Sequence, residues 1–218
     1  MSQIRAMFAS PFVFCQHPEP AAMNAALREL FFARESEGPK YANDHPYTER
    51  NSTLFESRFD LFAWPDAPIV QLRDFCLANV MQTVAQLNGY DEKTMATLGV
   101  KTDAWFHVTR RGGYFGVHNH PLASWSGVYC VAPGTNDASE PDSGKLTFVT
   151  PLHASGMYVD AGSEFLKPPF GIQNFGLMLQ AGQLVLFPSY LLHQVLPFQG
   201  EGERITVAFN CAFRHRPG

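Results

Sequence analysis

RITVAFNCAF, residues 204–213, is the stretch on which the fold turns. Its odd positions Ile205, Val207, Phe209, Cys211 and Phe213 are all apolar, whereas Arg204, Thr206, Ala208, Asn210 and Ala212 fill the even ones. Successive side chains of a strand point to opposite faces of a sheet, so the alternation describes a packing face backed by a small, partly polar interior. Five apolar residues in unbroken alternation argue against an edge strand with a random polar side.

A packing face needs cover, and the first half of the chain offers it. Met23, Leu27, Leu30 and Phe31 recur at helical spacing between Pro20 and Arg34, with Pro18 and Pro20 suited to an entry turn. A second helix is marked by Asp66 as cap and Pro68 in its first turn. Its apolar stripe is Ile69, Leu72, Cys76, Val80, Val84 and Leu87, and Asn88 and Gly89 end it. Between the two helices, GPKYANDHPYTERNST (38–53) is polar, holds Pro39 and Pro46, and reads as a long loop of the kind that serves as a lid or binding segment.

After Gly99 the texture changes to short β-rich runs separated by turn residues, the pattern of a sandwich or barrel. The runs are Val100 to Val108, Tyr114 to His120, Ser124 to Ala132, Lys145 to Val149, Gln183 to Phe187, His193 to Leu196 and Arg204 to Phe213. Residues 134–144, GTNDASEPDSG, and FQGEGE before Arg204 read as exposed connections. The expectation is one domain over 1–218, with helical decoration in 1–98 and a β core in 99–214.

Composition narrows the function. The 218 residues are 45% hydrophobic with 19 Phe, enough to bury a core, and the formal net charge of -4 lacks the basic footprint of a nucleic-acid binder. The opening residues MSQIRAMFASPFVF show no secretory pattern and no stretch of 18 apolar residues occurs, so the expected setting is cytoplasmic, without membrane. Cys15, Cys76, Cys130 and Cys211 lie far apart and read as reduced thiols.

The chemistry sits in YFGVHNHP, where His118 and His120 are two apart. On a strand they share a face about 6.6–7 Å apart, close enough to converge on one ion at about 2.1 Å each. His193 follows 75 positions after His118, and Arg204 comes 11 positions after His193, with Thr206 on the same strand face. A guanidinium pointing into an interior calls for a carboxylate, from the protein or from a ligand. His17, His45, His107, His153 and His215 have no such context and read as structural or surface, and Trp105, Phe106 and Trp125 read as core. The acidic residues of the 134–144 connection, Asp137, Glu140 and Asp142, are read as lying outside the metal site.

The order H-x-H, SWSGVYCV (124–131), GQLVLFPSYLLHQV (182–195) and RITVAFN (204–210) resembles the iron(II)- and 2-oxoglutarate-dependent oxygenase superfamily, and within it a small bacterial and phage-like group. The resemblance covers about residues 100–214. It implies a double-stranded β-helix, or jelly roll, with the helices packed on its larger sheet. It also implies Fe(II) on His118, His120 and His193, and 2-oxoglutarate anchored by Arg204 and Thr206 with Ser126 as a further contact. The implied reaction is hydroxylation of a small-molecule or peptide substrate by molecular oxygen, with release of succinate and CO2.

Two positions depart from the superfamily's pattern. His120 stands where most members carry a carboxylate, and Cys130 where a tyrosine often helps to hold the cosubstrate. The histidine at 120 leaves two rival readings open: a cupin-like metal dioxygenase with a three-histidine iron site and no 2-oxoglutarate, or a non-catalytic metal-binding barrel module. The identity of the substrate and the oligomeric state are not encoded in any of these motifs.

Overall fold

The structure is a computed structural model that describes residues 2–136, 138–152 and 159–216. Its strands are β1 (Val13–Gln16), β2 (Leu54–Glu56), β3 (Leu98–Thr109), β4 (Phe115–His118), β5 (Trp125–Ala132), β6 (Leu146–Phe148), β7 (Phe175–Leu177), β8 (Gln183–Pro188), β9 (His193–Val195) and β10 (Arg204–His215). The α-helices are α1 (Pro20–Ser36), α2 (Ala67–Asn88) and the short α3 (Glu92–Ala96). The strands form a six-stranded antiparallel sheet in the order β1-β8-β5-β10-β3-β2 and a four-stranded sheet in the order β4-β9-β6-β7. These two antiparallel sheets are the layers of the jelly roll expected from the sequence.

β10 lies in the middle of the larger sheet, paired with β3 from Arg204↔Thr109 to His215↔Leu98 and with β5 on its other side. Its odd residues Ile205, Val207, Phe209 and Cys211 are fully buried in one cluster with Met23, Leu27 and Phe31 of α1 and Ile69, Leu72, Cys76 and Val80 of α2. The alternation therefore marks the face on which both helices lie. Phe31 stacks on Phe106 of β3 at 4.1 Å with planes 5° apart, locking α1 to the sheet. Gly127 of β5 is a close-approach position: a Cβ there would stand 2.3 Å from Phe209 Cζ and 2.9 Å from Leu186 Cδ2.

α2 starts and stops where its signals place it, with Pro68 in the first turn and Gly89 closing the helix in the left-handed region at φ 67°. Asp66 occupies the cap position, but its carboxylate does not bond the helix backbone and faces Arg34 instead at 3.5 Å. Leu87 is 52% exposed, so the apolar stripe ends one turn before the helix. The long polar loop holds one 3-10 turn at Gly38–Lys40 and touches the sheets through the isolated bridges Ala42↔Ser57 and Arg50↔Phe115. The two β-side connections are less exposed than expected, since Ser143 and Phe198 are buried and Thr135 bridges to Glu201. All four cysteines are free, and no helix among the described residues is long and apolar enough to cross a membrane.

Candidate metal centre

The smaller sheet sets two histidines side by side. His118 closes β4 and His193 opens β9, and the two are directly paired across the ladder. A register irregularity between Phe115 and His118 ends regular pairing there, so His120 falls just past the strand rather than on it, correcting the expectation of one strand through both residues. His120 reaches the site from a turn whose backbone N–H donates to Ser189 O at 3.0 Å. The ring centroids of His118 and His193 are 4.2 Å apart, those of His118 and His120 4.9 Å, and those of His120 and His193 5.2 Å.

Backbone carbonyls orient two of the rings. His118 Nδ1 donates to Gly116 O at 2.8 Å and His193 Nδ1 donates to Leu191 O at 2.9 Å. A carbonyl only accepts, so each Nδ1 carries the proton and each Nε2 keeps its lone pair for a metal. Burial holds the rings neutral: desolvation, reinforced by the neighbouring His118, brings both His120 and His193 down to about 3. His118 is also lowered, chiefly by desolvation. Candidate ligand atoms of the three residues lie within 4.8 Å of one another, and they are the one such group among the described residues.

The same cavity ends in a cation. Arg204 and Thr206 project from the interior face of β10 and line it together with the three histidines, Ser126 and Ala208. Arg204 is only 6% exposed, and its guanidinium has no hydrogen bond or ion pair among the described residues. Burial lowers its pKa, opposed only by Cys130. Cys130 is opposite Thr206 on β5; burial pushes its thiol up to about 11, leaving it a neutral group without a tyrosine's hydroxyl. Ser126 faces the cavity with its hydroxyl engaged, 2.8 Å from Ser189 Oγ and donating to Asn210 Oδ1 at 2.7 Å.

The sequence reading of His107 as structural or surface is incomplete. His107 is buried, lines the cavity, and sits between Thr206 of β10 and Glu56 of β2 in one cross-strand row. Its Nε2 donates to Glu56 Oε2 at 3.0 Å, and Arg50 Nη1 lies 2.6 Å from Glu56 Oε1, with Asn43 also donating to that oxygen. Burial alone would raise the Glu56 carboxyl. The hydrogen bond and charge of His107, the Asn43 bond and the Arg50 charge outweigh it and bring the group down to about 2. Trp105, two residues along the same strand, also lines the cavity, and its buried Nε1–H has no partner among the described residues. The available signal was period two along β3, which puts Trp105 and His107 on one face; Glu56 had none, because β2 is three residues long.

This donor set fits iron(II) and an anionic cosubstrate. Three imidazoles gathered at one end of the cavity suit a first-row divalent metal and leave coordination positions free, and the unpartnered guanidinium at the other end suits a carboxylate. The free space between them is about 30 Å³, room for a water, so a five-carbon diacid enters only as the lining side chains yield. Arg204 also borders a polar cavity of about 180 Å³, lined by Gly134, Asn136, Ser143 and Gln180 among others, which gives the guanidinium room to move.

The chain is similar in fold to several solved structures. A prolyl-4-hydroxylase from Pseudomonas putida aligns at a TM-score of 0.55 and 18% identity, covering 95% of this chain and 93% of that one. A prolyl hydroxylase from Trichoplax adhaerens, in complex with a peptide fragment of the hypoxia inducible factor oxygen degradation domain, aligns at 0.60 and 10% identity, covering 92% and 83%. HygX from Streptomyces hygroscopicus, with nickel, 2-oxoglutarate and hygromycin B bound, aligns at 0.52 and 12% identity, covering 94% and 83%. At these identities the likeness establishes the fold. No curated protein sequence matches the chain. Residues 103–210, which run from β3 through β10 and include the histidine cluster and Arg204, match the model of the family described as "Putative 2OG-Fe(II) oxygenase". The chain belongs to the 2OG-Fe(II) oxygenase family, and as such is an oxidoreductase using iron(II) and 2-oxoglutarate.

Proposed function

We propose that the chain hydroxylates an unactivated C–H bond of a small-molecule or peptide substrate, converting 2-oxoglutarate and molecular oxygen to succinate and CO2. The observation that carries this reading is a buried Arg204, its guanidinium without a partner among the described residues, in the same cavity as the three histidines. His118, His120 and His193 would hold the metal, with the Gly116 and Leu191 carbonyls fixing two of the rings. Arg204 and Thr206 would hold the far carboxylate of the cosubstrate in charge-assisted contacts, with Ser126 on the adjoining wall. Iron(II) and 2-oxoglutarate together, when bound, supply the oxidising power: one oxygen atom goes to the substrate and the other to succinate, with loss of CO2.

The protein's share of the work is orientation and exclusion of water. Three neutral ligands leave the ion's two positive charges to be balanced by the cosubstrate's two negative ones, which favours its capture. Phe115, Phe187, Val128 and Leu146 make the cavity walls apolar, which strengthens each polar contact inside. Around the histidines, Val117, Leu122 and Tyr190 are 52%, 92% and 57% exposed, an apolar rim that favours a substrate with apolar surface next to the reacting carbon. Among the fold's relatives, one was solved with a peptide and another with hygromycin B, so both substrate sizes are compatible with this architecture.

The test is anaerobic addition of iron(II) and 2-oxoglutarate to the metal-free protein, followed by admission of oxygen and assay of succinate across substrate panels. A visible charge-transfer band requires both to share one coordination sphere and is the expected result. Iron binding with no band, and with oxygen consumption independent of 2-oxoglutarate, would favour a three-histidine dioxygenase. Iron binding with neither would favour a non-catalytic barrel.

A further inference from the structure

The inference concerns Trp105 and rests on the cosubstrate reading above. The indole is 4% exposed, lines the cavity of the three histidines and Arg204, and packs against Phe59 and His120, with ring centroids 4.6 and 5.6 Å away. Its Nε1–H is buried and meets no acceptor among the described residues. An indole nitrogen only donates and does not titrate, so the proton is in place before any ligand arrives. A buried donor without an acceptor opposes folding, and in a cavity wall its acceptor comes with what the cavity takes in.

The ladder between β10 and β3 says which end of the ligand the donor meets. Successive pairs on the cavity side are Arg204↔Thr109, Thr206↔His107 and Ala208↔Trp105. Arg204 and Thr206 take the far carboxylate in the reading above, so Trp105 stands at the opposite end, beside His120. The three imidazoles gathered there are neutral and bring no anionic oxygen of their own. We propose that Trp105 is a cosubstrate-binding residue: its Nε1–H donates to the keto-acid carboxylate of 2-oxoglutarate and fixes the metal-facing end, as Arg204 and Thr206 fix the far end. A carboxylate only accepts, and a charged acceptor makes this the stronger kind of hydrogen bond. No proton changes owner and no electron moves.

The experiment follows the indole N–H signals of the Zn(II)-loaded, nitrogen-15-labelled protein by NMR without oxygen. Trp64 and Trp125 belong to the core on the helix side of the larger sheet, and Trp64 Nε1 already donates to Asp60 Oδ1 at 3.1 Å. The Trp105 signal is the one lost in Trp105→Phe. If that variant does not fold, it is the one broadened most when Mn(II) replaces Zn(II). 2-Oxoglutarate should move this signal downfield and slow its exchange with solvent, leaving that of Trp64 in place. Saturating pyruvate, which has the keto-acid end and no far carboxylate, should move it likewise. In calorimetry Trp105→Phe should bind 2-oxoglutarate about tenfold more weakly, the loss of one hydrogen bond to a charged group. A Trp105 signal unmoved by saturating 2-oxoglutarate, a shift that saturating pyruvate fails to reproduce, or wild-type affinity in folded Trp105→Phe would overturn the proposal. Absence of 2-oxoglutarate binding by wild type would instead remove the cosubstrate reading, and this inference with it.

Discussion

Replacing Arg204 by methionine should move stability and ligand affinity in opposite directions. The guanidinium is 6% exposed, lowered in pKa by burial, and has no acid opposite it among the described residues. A buried cation without a partner opposes folding by several kcal/mol in effective desolvation, whereas methionine keeps most of the aliphatic stem and carries no charge. Relief of even part of that penalty, about 1–3 kcal/mol, would raise the melting temperature of the metal-free protein by roughly 2–12 °C at about 2–4 °C per kcal/mol for a chain of this size. The same substitution would remove the bidentate, charge-assisted contact proposed between Arg204 and the diacid. Two such hydrogen bonds at about 1.5–3 kcal/mol each imply at least a hundredfold loss of 2-oxoglutarate affinity. Urea and thermal unfolding of the metal-free form, with anaerobic 2-oxoglutarate titration of the Mn(II) form, measure the two quantities separately. A variant that is less stable by more than about 2 kcal/mol and still binds 2-oxoglutarate like wild type would show that the cation is a structural element, and the reasoning would fail.

Three further outcomes follow from other parts of the molecule. Glu56→Gln should reduce stability at neutral pH by about 3.5 kcal/mol, from a native value of about 2 against an ordinary 4.5 at roughly 1.4 kcal/mol per unit. Because the native pKa is depressed, that stability is present above about pH 4.5 and disappears as pH falls toward 2, so urea midpoints of wild type and variant should converge across this window. Gly127→Ala sets a methyl 2.3 Å from the Phe209 ring in a fully buried layer and should cost about 1–3 kcal/mol in chemical denaturation; a neutral result would mean that the two sheet residues repack freely. His193→Ala removes the most buried of the three rings and should weaken metal binding by at least a hundredfold in a chelator competition, while His45→Ala, on an exposed loop, should leave it unchanged.

Much of this architecture is legible along the chain because its physics is local. Alternation in 204–213 needs only the two-residue period of a strand to announce a buried face, and the residues it names are the ones buried beneath α1 and α2. The boundaries of α2 follow from a proline that fits only a first turn and a glycine that tolerates a left-handed end. The candidate ligands were marked by their order and spacing, and the structure gathers the three rings, although His120 arrives from a turn and not from the strand itself.

Other features exist only through partners distant in sequence. β1, β2 and β7 are three or four residues long, too short for any period to show, and become strands because β8, β3 and β6 offer them a ladder edge. The Glu56–His107 pair joins residues 51 apart, one of which looked like a lone histidine and the other like the end of a loop. That the Arg204 guanidinium meets no acid among the described residues is also a tertiary fact: its position and chemistry are readable along the chain, but whether an acid meets it depends on which side chains the two sheets bring into the same enclosed space. Periodicity fixes which way a residue points, because that is a property of the backbone beneath it; what the residue finds there is decided by the closure of the fold.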